Sequence, residues 1–143
     1  AAGFVTPVAA ILIGAITATC CFFAISVKVK MGIDDSLDTF PVHGVGGTVG
    51  ALLTGVFATT SVNSAGRDGL LYGHPEQVLI QLAAVVMTYL LAGGVTFVLL
   101  KLLDVTVGLR LPPEAEMQGL DINEHGEEGY GEEYLGGLNQ KSS

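Results

Sequence analysis

His43 stands inside "DDSLDTFPVHGVGGTVGALLTGVFA", residues 34–58, and no other ionisable side chain follows it until Arg67. An imidazole titrates near neutrality, so a lone one can accept or donate a single proton to a substrate. Ionisable groups at depth in an apolar segment are costly and usually mark pathways or relays. The structural alternative is a histidine that only hydrogen-bonds a neighbouring helix. A metal site fits poorly, because no second His, Cys or carboxylate stands three or four residues away. Three carboxylates, Asp34, Asp35 and Asp38, crowd the residues just ahead. They read as N-terminal caps that also favour the helix dipole, or as steps in a proton or cation path.

A helix beginning at Asp38 would place His43 roughly 7–8 Å along the axis, at 1.5 Å per residue. That depth faces the imidazole toward protein or a cavity rather than lipid. Asp38 is then the expected N-cap, and Pro41 falls at the third helical position, inside the turn that tolerates it. Thr39, His43, Gly46, Gly47 and Gly50 share one side by the i, i+3, i+4 rule. Gly46 and Gly50 make a small-xxx-small pair. With Gly47 they either admit another backbone closely or leave room for a narrow channel.

The elements that carry these residues follow from hydropathy. Half the 143 residues are hydrophobic and 14% are charged, against about 25% in an ordinary soluble domain. Mean hydropathy is +0.57. Three windows, about 4–27, 39–59 and 75–103, are long and apolar enough to cross roughly 30 Å of hydrocarbon. The expected fold is therefore all-α, a polytopic membrane helix bundle, with residues 1–110 as its transmembrane part. The apolar amino-terminal run has no basic region ahead of it, unlike a signal peptide, so the chain reads as a fragment of something longer. Gly14 and Ala18 put small residues one turn apart in the first span. Cys20 and Cys21 read as small core residues.

Net charge is −8, and eight of the acidic residues lie from position 111 onward. Residues 111–143 thus form an acidic tail. No basic stripe exists to neutralise phosphates, which excludes nucleic acid as a partner. Lys28 and Lys30 follow the first span, and Lys101 and Arg110 end the third, while the second connector holds Arg67 alone. The positive-inside bias puts the first connector and the tail in the cytoplasm, with the amino-terminal end outside. His74 and His125 lie in a loop and in the tail, as capping or solvated groups.

These residues together resemble the signature of the ammonium transporter family, the Amt, Mep and Rhesus group. The carboxylates, Phe40, His43-Gly44 and the spaced glycines fall where that family has them. "AAGFVTPVAAILIGAI" resembles its ninth span, and "LDVTVGLRLPPEAEMQGLDINEHGEEGY" resembles the end of its eleventh span and its cytosolic tail. The resemblance covers nearly the whole chain.

It implies the carboxy-terminal third of an eleven-span cell-membrane protein, built from inverted repeats and assembled as a homotrimer with a pore in each protomer. It implies two histidines facing one another in a hydrophobic pore, His43 being the second. Ammonium is recruited, gives up its proton, and crosses as ammonia while the proton travels along the imidazoles. Thr39 and Val42 become pore or near-pore positions. Asp35 and Asp38 become caps, with Asp35 a candidate for the proton path. Gly119, Leu120, Asp121, His125, Gly126, Glu127 and Tyr130 match a regulatory tail that can contact a PII-type nitrogen-status protein, whereas residues 136–143 read as a disordered end. The first pore histidine, the phenylalanine gate and the recruiting vestibule would lie upstream, so these residues alone would not conduct. No enzyme activity, cofactor or metal is implied. An ammonium sensor, a structural span bundle and a Rhesus-type gas channel are the alternative readings.

Overall fold

The computed structural model describes residue 1 and residues 3–127. Among them every regular element is helical, as the hydropathy requires. Helix α1 runs Pro7–Met31. Thr6 caps it by accepting the Ala9 N–H at 3.3 Å, and Pro7 occupies the first turn, where its missing N–H costs nothing. Gly32, at φ +63°, ends it in a left-handed turn whose N–H returns to Lys28 and Val29.

The second membrane-length helix, Phe40–Phe57, has two parts. A π-helical turn covers Phe40–Val45, and α2 covers Gly46–Phe57. Helix α3 runs Glu76–Thr106. All three helices are long and apolar enough to span a bilayer.

The chain divides into residues 1–96 and 97–143. In the first unit, Val5, Ala9 and Ile13 form a small core with Leu53 and Phe57 packed on it. The end of α2 is stitched to the amino terminus: Thr59 N–H donates to the Phe4 carbonyl at 2.9 Å, and Gly69 N–H to the Ala58 carbonyl at 2.8 Å. The second connector is therefore partly folded in, with Ala58 and Thr59 buried. Much of the remaining apolar surface is bare, including Ile11, Phe22 and Phe23 on α1 and Leu79, Leu82 and Leu90 on α3. Such faces are stable only against lipid or other helices.

In the second unit, α4 spans Pro113–Gln118 and a π-helical turn covers Asp121–His125. Asn123 Nδ2 donates to the Ala115 and Gly119 carbonyls, at 2.9 and 3.0 Å. Arg110 pairs with Glu116 at 3.0 Å. Gly119 and Gly126 take positive φ at the ends of these turns. Leu120 and Ile122 are half exposed, while Asp121, His125 and Glu127 are exposed. Tyr130 and residues 136–143 lie outside the described residues.

Candidate functional site

The site begins at the connector ahead of the π-helical turn. Asp35 caps it with both carboxylate oxygens: Oδ1 accepts Thr39 N–H at 2.9 Å and Oδ2 accepts Phe40 N–H at 3.0 Å. The Phe40 N–H, then the Thr39 N–H, with Lys28 nearby, hold the Asp35 carboxyl below the usual carboxylate range. Two donors aimed at one carboxylate favour its charged form.

Asp38 is not the cap expected from its position. It adopts φ +53°, a left-handed backbone, which turns its side chain back toward α1. There it pairs with Lys28 Nζ, which also donates to the Asp35 carbonyl. The Lys28 side chain is only 12% exposed and that of Asp38 35%, so the pair is sheltered enough to tie the end of α1 to the start of the next helix. Pro41 consequently sits at the second position of the helix, fully buried.

His43 lies in the middle of the π-helical turn. The residue is exposed among the described residues. It borders two cavities. One, of about 420 Å³, is a groove between α2 and α3 whose walls include Gly47, Thr48, Ala84, Thr88 and Tyr89. The other, of about 1040 Å³, reaches Lys28, Asp35, Thr39 and Phe40. His43 thus stands at the shared edge of two largely apolar grooves, the second of which also reaches Lys28, Asp34 and Asp35. Thr39 lines the second cavity with it. Val42 is exposed and lines neither, and its carbonyl lies 3.8 Å from Cys21 Sγ.

The glycines do not act as one stripe. A Cβ at Gly46 would meet Cys21 Sγ at 3.0 Å, so Gly46 faces α1, whereas Gly47 and Gly50 have nothing within 4 Å. All three lie in α2, and they differ because α1 approaches Gly46 alone, while the π-helical turn ahead shifts Thr39 and His43 out of the i, i+3, i+4 register with them. The closest approach of helices falls elsewhere. A Cβ at Gly55 would lie 3.0 Å from the Val78 Cα and 3.1 Å from the Gln77 carbonyl. Gly55 lies in an apolar run with no charged residue near it in sequence to single it out.

Sequence reasoning also missed Tyr89. Its hydroxyl donates to the Gly44 carbonyl at 3.2 Å and lies 2.8 Å from Thr48 Oγ1. At the opposite end of α2 a polar cluster closes the second connector. Asp68 accepts the Thr60 N–H at 2.7 Å, which lowers its carboxyl from the usual value. His74 Nδ1 meets Glu76 at 2.8 Å. Among the described residues no group of three or more His, Cys, Asp or Glu side chains could hold a metal ion.

Fold and site define a class: a multi-pass membrane protein whose apolar helices carry one imidazole at the edge of a groove. Residues 1–130 match the sequence profile of the Ammonium Transporter Family, and the chain belongs to that family. It is 50% identical over 131 residues to an ammonium transporter of Bacillus subtilis, covering 91% of this chain and 32% of that protein. It is 42% identical over 130 residues to ammonium transporter Amt1 of Archaeoglobus fulgidus, covering 91% and 33%. A crystal structure of Saccharomyces cerevisiae Mep2 superposes with a TM-score of 0.73 at 36% identity, over 80% of this chain and 27% of that one. The chain spans about a third of the length of the curated relatives it matches.

Proposed function

We propose that this chain is the carboxy-terminal third of an ammonium transporter, and that His43 lies on the path taken by ammonia. The carrying observation is the place of His43, which lines both cavities. A bare cation at mid-membrane is expensive. Neutral ammonia is small and can hydrogen-bond an imidazole nitrogen. Ammonium that sheds its proton at the entrance could therefore pass as ammonia, the proton moving separately by way of His43 and a partner histidine upstream. A hydrated alkali ion has no proton to shed, so the same apolar barrier discriminates against it.

Within this reading Thr39, which lines the second cavity, is a near-path position, and Asp35 holds the helix start that sets the depth of His43. The tail residues Gly119, Leu120, Asp121, His125, Gly126, Glu127 and Tyr130 form a cytoplasmic regulatory segment that can meet a PII-type protein. The protomers assemble as a homotrimer in the cell membrane. The relatives named as transporters support transport over an ammonium sensor or a gas channel.

The test is ammonium-driven current and internal pH change in liposomes holding the full-length polypeptide, with and without His43→Ala. Current that falls, or loses selectivity over potassium, in the variant supports the reading. Flux and selectivity unchanged by the substitution would make His43 a packing residue. No flux in the parent under any gradient would end the transport reading.

A further inference from the structure

The Gly44 carbonyl, one residue beyond His43, is the meeting point of two hydroxyls. Thr48 Oγ1 lies 2.8 Å from it and the Tyr89 hydroxyl 3.2 Å, with 2.8 Å between the two hydroxyl oxygens. Two protons therefore serve three contacts. Thr48 donates back to the carbonyl one turn earlier, as threonines in helices do. Tyr89 then shares its proton between Thr48 Oγ1 and the carbonyl.

Thr48 belongs to the same helix as Gly44, but Tyr89 reaches across from α3. Its bond is external support for the π-helical turn that carries His43. A π-helical turn is rare and displaces the regular backbone bonding, so it persists where its neighbours hold it. Relaxation to i→i+4 winding would swing His43 relative to Gly46 and the rest of α2. Tyr89 and His43 also line the same groove, so a change in the turn is a change in that groove.

We infer that Tyr89 is a positioning residue for His43: its hydroxyl, bound to the Gly44 carbonyl and Thr48, holds the π-helical turn and so sets the direction of the imidazole in the groove. The inference rests on the proposed function of His43. It adds a residue on another helix that tunes proton exchange there through the backbone of the turn.

Tyr89→Phe in the full-length polypeptide, reconstituted in liposomes, is the test. The variant keeps the ring and leaves Thr48 donating to Gly44, so no polar group is orphaned. Ammonium flux should fall between about two- and ten-fold, the range of one lost hydrogen bond. The pH profile of flux should shift, while the protein level and thermal midpoint stay those of the wild type. Thr48→Val removes the other hydroxyl, and the double variant should lose less than the product of the single losses, because both act through one carbonyl.

Wild-type flux, selectivity and pH profile in Tyr89→Phe would overturn the inference. So would a loss that only tracks protein level or thermal midpoint. His43→Ala measured alongside separates the two claims. If it abolishes selectivity while Tyr89→Phe does nothing, the positioning role alone fails. If His43→Ala changes nothing, the reading of the site fails and the inference with it, whatever Tyr89→Phe does.

Discussion

Asp35 grips the start of the His43 turn with both oxygens, so its protonation is coupled to the geometry of that turn. Its carboxyl is held below the usual range by the Phe40 and Thr39 N–H groups. A depressed folded-state pKa means stability that is fully present above the unfolded value, about 3.9. It is lost as pH falls through the lower folded value. Asp35→Asn offers one acceptor oxygen in place of two and should lower the thermal midpoint at neutral pH. The gap between variant and wild type should close in strongly acid solution, and a gap that persists there would refute the capping account. Asp38 poses a different problem, since its left-handed backbone is unfavourable for any residue with a side chain. Asp38→Ala keeps that backbone cost of about 1–2 kcal/mol and also strips Lys28 of its partner. Asp38→Asn, which tolerates the conformation, should be milder in the same thermal assay.

At the scale of elements, the glycines separate into those that admit a neighbour and those that keep space open. Gly55→Ala would press a methyl against the Val78 backbone at 3.0 Å and the Gln77 carbonyl at 3.1 Å. Neither can yield easily, so the α2 to α3 packing should lose about 1–3 kcal/mol, seen as a lower unfolding midpoint in detergent. Gly47→Ala meets nothing within 4 Å and should not destabilise the helix, where Ala is favoured over Gly by roughly 0.5–1 kcal/mol. Its methyl would instead project beside the groove that His43 lines, so flux should drop while the midpoint holds. Equal effects of the two substitutions on stability would contradict this division. The three membrane-length helices were legible because charge is absent across long windows. The π-helical turn was not, because nothing in "FPVHGV" distinguishes it from α-helix without the Tyr89 bond that reaches it from α3 and the Lys28 bonds that hold the connector ahead of it.

For the whole molecule the exposed faces of α1 and α3 demand cover, and relatives three times as long as this chain have residues enough to supply it. A single crossing by the third helix would put the second connector and the tail on opposite sides of the membrane. A cysteine placed at Asn63, with Cys20 and Cys21 replaced by Ala, should react with an impermeant maleimide on intact cells. One placed at Gln118 should react only after permeabilisation. Labelling of both from outside would reverse the charge argument on which the cytoplasmic tail rests.

Hydropathy, the isolation of His43 and the family likeness are properties of residue order, and residue order alone determined them: burial in lipid selects composition segment by segment, whatever the packing. Which aspartate caps, which glycine touches a helix, and which hydroxyl reaches the Gly44 carbonyl were decided by the tertiary structure. Asp35, Asp38 and the glycines at 46, 47, 50 and 55 are chemically near-equivalent along the chain. Only backbone dihedrals and the approach of α1 and α3 make them different, since a hydrogen bond or a clash is set by distances of a few tenths of an ångström between residues far apart in sequence.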